Sequence, residues 1–178
     1  MRRPAMVPIE AMIRIPRLPV PEALYTVLLG PMLLAGMPHP TAATPWAALA
    51  NVGFRHVVCL TSPVPPYDPS PLGVLHAAGL EDLYGGRSPR DPERELREIR
   101  LATDAVLQAL RRGEGVIVHC EGGTGRTGTV IGLVLCGLGN SARETVGYLD
   151  AVHRARGKAG WPESPWQAEL LESMDAAA

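Results

Sequence analysis

Apolar residues in this chain fall into two kinds of pattern, and the switch between them marks out its elements. Short apolar runs bounded by Gly or Pro, the pattern of buried strands, occur at Tyr25–Leu29, Met32–Ala35, Arg55–Leu60 and Gly115–His119. Gly30-Pro31 parts the first two as a turn signal. Helical spacing takes over elsewhere. From Pro92 to Arg112, Leu96, Ile99, Thr103, Val106, Leu107 and Leu110 share one face. The charges of ERELREIR lie away from it, as a solvated surface carrying Glu/Arg pairs. Asp91 suits the N-cap of this helix, with Pro92 at its first position and Gly113 past its end. Arg126–Leu138 is apolar enough for a buried helix. Ser141-Ala-Arg-Glu144 is a capping box that opens a helix running to about Arg154. Shorter helices are expected over Trp46–Asn51, capped by Thr44 with Pro45 first, and over Leu72–Ala78, ended by Gly79. Trp161–Leu171 is a last loop and helix.

Residues 1–22 hold five prolines and no sustained period, so they read as a loosely ordered arm, with Met12–Ile15 as an optional edge strand. Residues 23–178 read as a single domain, a length well able to bury its own core. A net charge of −1, from 17 basic and 18 acidic residues, leaves no nucleic-acid footprint. The three cysteines (Cys59, Cys120, Cys136) are odd in number and lack metal-site spacing, which favours a reducing compartment. The first residues carry charges and prolines where a signal peptide needs an apolar run, and no apolar stretch reaches membrane-spanning length. The expectation is a soluble, cytoplasmic monomer without metal or other cofactor, nucleic-acid partner or membrane contact. Cys59 and Cys136 are expected as core packing. Arg143, Arg154 and Arg156 are expected as solvated surface charge, with contact to an anionic substrate as the alternative; His153 is expected on the surface, and His39, His56 and His76 form no metal set.

The stretch that carries chemistry is Gly115–Gly128, GVIVHCEGGTGRTG. It reads as a buried strand, a tight glycine-rich loop and a helix N-terminus. That geometry aims several backbone N–H groups, with the positive end of a helix dipole behind them, at one spot suited to an oxyanion. Cys120 at the lip of the loop turns binding into reactivity. Such settings bring a thiol from about 8.5 down to roughly 3.5–7.5, which makes a thiolate nucleophile aimed at phosphorus. Gly123, Gly125 and Gly128 also spell the dinucleotide-binding G-x-G-x-x-G. The acidic residues that should close such a unit, Glu144 and Asp150, lie in a helical segment instead. The GxxxxGK[ST] phosphate loop fails as well, because Thr129 stands where its Lys belongs.

His119, Cys120, Gly123, Arg126 and Thr127 match His-Cys-x-x-Gly-x-x-Arg-Ser/Thr. The chain thereby resembles the cysteine-dependent protein tyrosine phosphatases, and its small loop residues resemble the dual-specificity branch most. The resemblance spans roughly residues 25–172. It implies an α/β fold of three layers: a central, mostly parallel sheet flanked by helices, with the cysteine loop between a strand and a helix. It also implies phosphomonoester hydrolysis through a phosphocysteine on Cys120. Glu121, Gly122, Gly123, Thr124, Gly125 and Arg126 would hold the phosphate, and Thr127 would stabilise the departing thiolate. His119 would support the loop. A leaving oxygen needs a proton donor. Asp82, in GLEDLYGG, stands by position where the family keeps its general acid/base; Asp91 is the rival and Glu81 the weaker one. Gln167 lies where the family positions the hydrolytic water, and equally suits a helix surface. The loop has no Lys and one acidic residue, Glu121, which favours a phosphoprotein or a small, singly phosphorylated ester. A catalytically silent phosphate-binding module is the alternative.

Overall fold

In the computed structural model, which describes residues 2–177, the four apolar runs pair into one sheet and a fifth strand extends it. β1 (Tyr25–Leu28), β2 (Leu34–Met37), β3 (Phe54–Cys59), β4 (Gly73–Ala77) and β5 (Gly115–His119) stand in the order β1-β2-β5-β3-β4. Only the β1/β2 pair is antiparallel. β5 is central and buried at every residue. Val116 and Val118 face one apolar cluster and Ile117 the other. A strand covered on both faces has no polar side to alternate with, which explains the unbroken apolar run.

α1 (Trp46–Val52) packs on β3 at the smaller cluster. α2 (Pro92–Arg111), α3 (Gly125–Gly137), α4 (Ala142–Ala155) and α5 (Pro165–Ala177) build the opposite layer. α3 lies in its middle, touching α2, α4, α5, β2 and β5, as its all-round apolar sequence requires. The three-layer α/β expectation is met. The Ser141 capping box and the Asp91 cap both form; Asp91 accepts from the Arg94 N–H at 3.0 Å.

Three local expectations are overturned. Leu72–Ala78 is a strand, not a helix: β4 pairs with β3 through a register shift, giving backbone partners to a strand edge that a two-turn helix would have left open. Thr44 does not cap α1. Its hydroxyl accepts from the Thr41 N–H at 2.9 Å, and Pro45 occupies the cap position. The arm is not loose. Val7, Met12 and Ile15 are buried, the Val7 N–H donates to the Val27 carbonyl at 3.0 Å, and the Tyr148 hydroxyl donates to the Val7 carbonyl at 2.7 Å. Met12–Ile15 does not extend the sheet; Ile15 forms only an isolated bridge with Leu18.

Candidate active site

The central strand delivers Cys120 to the start of α3, where it is 2% exposed. Thr124, at the N-cap of α3, makes no side-chain capping bond, so the first-turn N–H groups have no protein oxygen capping them from that side chain. Gly123 has φ 70°, and a Cβ there would stand 2.6 Å from the Met37 carbonyl, so no other residue fits. The space a side chain would need at Gly125 is filled by the Glu163 carboxylate, and at Gly128 by the Trp161 indole.

All loop carbonyls from Cys120 to Gly125 are taken up by donors. Cys120 O faces His119 Nδ1 at 3.2 Å, and Glu121 O accepts from the His39 N–H at 2.9 Å. Gly122 O accepts from Arg156 Nη2 at 3.0 Å. Gly123 O accepts from the Tyr25 hydroxyl at 2.6 Å and from Arg156 Nη1 at 3.1 Å. Thr124 O accepts from the Gly128 N–H at 2.8 Å, and Gly125 O from the Thr129 hydroxyl at 2.8 Å. Because a peptide's C=O and the following N–H point opposite ways, the loop's N–H groups are turned from these partners.

Arg126 is half-buried and donates to the Leu80 carbonyl at 3.4 Å. Thr127 is fully buried, and its hydroxyl has no hydrogen-bond partner among the described residues. His119 is also fully buried; its other ring nitrogen meets the Tyr67 hydroxyl, and Tyr67 stacks on Trp46. Glu121 and Gly122 are exposed at the rim. Cys136 lies away from this loop and faces Thr145, whereas Cys59, fully buried beside Thr61, pairs across the sheet with His119, the residue before Cys120.

Asp82 is exposed and accepts from the Tyr84 N–H at 3.0 Å. The residues on either side of it are fixed. Leu83 is buried, and the Glu81 carboxylate binds the N–H groups of Arg90 and Asp91 at 3.0 and 3.2 Å, which lowers its pKa. Glu81 is thus engaged by two backbone N–H groups and Asp91 by the first turn of α2, whereas Asp82 accepts one backbone N–H and is otherwise exposed. Gly86 N–H donates to the Glu163 carbonyl at 2.9 Å, tying the loop to the segment before α5. Burial raises the Glu163 carboxyl, the charge of Asp82 adds to the rise, and Arg126 and Lys158 oppose it. Asp82, Glu163 and Arg126 therefore share one electrostatic neighbourhood. A cleft of about 600 Å³ beside the loop is lined by Tyr84, Gly86, Gly122, Thr124, Lys158 and Glu163.

Four further placements differ from sequence expectation. Gln167 is not on a helix surface: it is 1% exposed, and its Oε1 accepts from the Glu163 and Ser164 N–H groups at 2.8 and 3.1 Å. Glu95, expected among the solvated charges, is 1% exposed and accepts from the Glu81 N–H at 2.9 Å. Arg156 and His153 are buried rather than on the surface. Glu163 carried no sequence signal, because its neighbourhood comes together only through the C-terminal loop. Among the described residues no cluster of His, Cys, Asp or Glu is arranged to hold a metal ion, and no helix is long and apolar enough to cross a membrane.

The loop thus carries a buried thiol at one end and, in the first turn of α3, an arginine at the other. Residues 24–161 match the family model described as the Swiss Army Knife protein DSP-PTPase phosphatase domain, PTP-SAK. The chain belongs to that phosphatase family. It is a protein-tyrosine/dual-specificity phosphatase-like hydrolase. Among solved structures, the active form of Tk-PTP is 25% identical, with a TM-score of 0.57 over 84% of this chain and 95% of that one. Human DUSP28 is 21% identical, with a TM-score of 0.63 over 90% and 97%. The human tyrosine phosphatase-like serine/threonine/tyrosine-interacting protein is 15% identical, with a TM-score of 0.60 over 80% and 93%. The last two establish the shared fold.

Proposed function

We propose that this DSP-PTPase domain hydrolyses phosphomonoesters through a phosphocysteine on Cys120. The observation that carries the reading is the loop itself: carbonyls bound by surrounding donors, Cys120 at one end and Arg126 at the other. In the first step Sγ of the Cys120 thiolate attacks phosphorus. The S–P bond forms as the P–O bond to the leaving group breaks, and Asp82 gives its proton to the leaving oxygen. The loop N–H groups and the Arg126 guanidinium bind the three remaining oxygens, a planar donor fork meeting charge that spreads in the transition state. In the second step water attacks phosphorus and passes a proton to the Asp82 carboxylate. The S–P bond breaks, inorganic phosphate leaves, and the unpartnered Thr127 hydroxyl hydrogen-bonds the restored thiolate. His119 holds the strand end, and Gln167 holds the segment that carries Glu163.

The exposed Glu121 and the absence of Lys from residues 120–126 favour a phosphoprotein or a small ester with one phosphate over a polyphosphorylated ligand. The test is hydrolysis of p-nitrophenyl phosphate, followed by a panel of phosphopeptides, phosphoinositides and small esters. Cys120→Ser serves as control, and its turnover should vanish because a hydroxyl is a far weaker nucleophile at neutral pH. Full activity in that variant, or no vanadate-sensitive turnover in the parent, ends the proposal. Tungstate binding without turnover would instead mark a silent phosphate-binding module.

A further inference from the structure

We infer, building on the phosphohydrolase reading of the loop, that Arg156 is a positioning residue that locks the loop in its anion-binding form and braces it against the N-terminal arm. Arg156 follows the last residue of α4, 30 positions beyond the signature arginine (156 − 126), and its side chain turns back into the molecule at 5% exposure. All its donor groups are committed. Nε donates to the Pro21 and Glu22 carbonyls at 3.1 and 3.3 Å, and Nη2 to Glu22 O and Gly122 O at 3.1 and 3.0 Å. Nη1 donates to Gly123 O at 3.1 Å, the Thr124 hydroxyl at 3.2 Å and His153 Nδ1 at 2.9 Å. The guanidinium carbon lies 4.6 Å from the centre of the Tyr25 ring. A guanidinium has five N–H donors, so none is left for substrate.

The geometry gives these bonds a specific task. Fixing the carbonyls of Gly122 and Gly123 on the Arg156 side sends the N–H groups of Gly123 and Thr124 the other way. Nothing in Glu121-Gly122-Gly123 enforces that orientation, since two adjacent glycines are permissive and a side chain at Gly122 would meet open space. A flipped peptide would put a carbonyl dipole where phosphate oxygens belong. Inside the loop only the Thr124 hydroxyl reaches Gly122 O, at 3.4 Å, so Arg156, with the Tyr25 hydroxyl on Gly123 O, supplies from outside the rigidity that the loop lacks. It has no carboxylate partner among the ion pairs of the described residues. A buried cation without a counter-ion is costly, and an anion seated in the adjacent loop is the charge that offsets it. Burial, with the charge of Arg156 second, drops His153 to about 3, which leaves a neutral ring able to accept from Nη1. On the far side the same guanidinium grips Pro21 and Glu22, so the arm is a structural support of the loop.

Tungstate binding by calorimetry, in a Cys120→Ser background, tests this without turnover. Arg156→Met should weaken binding roughly a hundredfold, and Arg156→Lys should recover only part, because an ammonium keeps the charge but cannot span both sets of carbonyls. Tyr25→Phe removes one bond to Gly123 O and should weaken binding about fivefold in a protein that stays folded. With Cys120 restored, kcat/KM should fall in the same order at temperatures where circular dichroism shows every variant folded. A merely structural role would lower the melting temperature and leave tungstate affinity of the folded protein untouched. Unchanged affinity in folded Arg156→Met and Tyr25→Phe, or no tungstate binding by the parent, overturns the inference. A parent that binds tungstate in an Arg156-dependent way but hydrolyses nothing would sink the hydrolase reading alone.

Discussion

Glu95→Gln offers a sharp test of how the acid loop is held. Glu95 sits in the first turn of α2, 1% exposed; its Oε1 accepts from the Glu81 N–H and its Oε2 has no hydrogen-bond partner. Burial drives its carboxyl from the ordinary 4.5 up to about 7, against the pull of the Glu81 N–H, with the Glu81 charge adding and Arg94 and Arg126 subtracting. The folded protein thus holds this proton more tightly than the unfolded chain. The favourable contribution is complete below about pH 4.5 and is lost as pH rises through about 7. A shift of that size corresponds to about 3 kcal/mol in all, of which about 2 kcal/mol falls between pH 5 and 8. Gln keeps the acceptor for the Glu81 N–H and cannot ionise. Urea denaturation of parent and variant at pH 5, 6, 7 and 8 gives the difference directly, with other titrations largely cancelling. The variant should gain about 2 kcal/mol on the parent across that range. A pH-independent difference, or a gain on acidification, refutes the account.

Asp82→Ala should slow hydrolysis of alkyl phosphates about a hundredfold more than of p-nitrophenyl phosphate, whose leaving group needs little protonation; equal losses on both would remove Asp82 from the acid role. Asp91→Ala should cost about 1 kcal/mol of stability through the lost cap, read by denaturation, and leave that substrate ratio alone. Gly123→Ala forces a side chain into a left-handed position against Met37 and should abolish tungstate binding even where the protein still folds. Gly128→Ala drives a methyl into the Trp161 indole and should cost about 1–3 kcal/mol, with partial recovery when Trp161 is also made smaller.

The strand–loop–helix unit was legible because a buried parallel strand, a glycine loop and an all-apolar helix each leave a local pattern. The α2 pattern was legible for the same reason, with one exception. Glu95 lies among exposed charges in sequence, yet the acid loop folds over it, and no periodicity announces a neighbour from another element. β4 was misread because GVLHA is short enough to suit either state, and only the open edge of β3 decides. Arg156 and His153 looked like the polar end of an amphipathic helix. What buries them is the returning arm and the loop, contacts separated by up to 135 residues. Long-range polar partnerships of this kind carry no local signature, whereas Cys120 and Arg126 lie in one short stretch whose pattern is local.

The ring of Tyr25 fills the space above Gly36, its cross-strand partner, and from there its hydroxyl reaches the loop. In any lineage of this protein the two positions must therefore change together. A side chain gained at 36 requires a smaller residue at 25 first, and that step gives up the hydroxyl. Selection on turnover thus extends into the hairpin behind the loop, and paired changes at 25 and 36 would mark descendants in which catalysis had been relaxed or rebuilt.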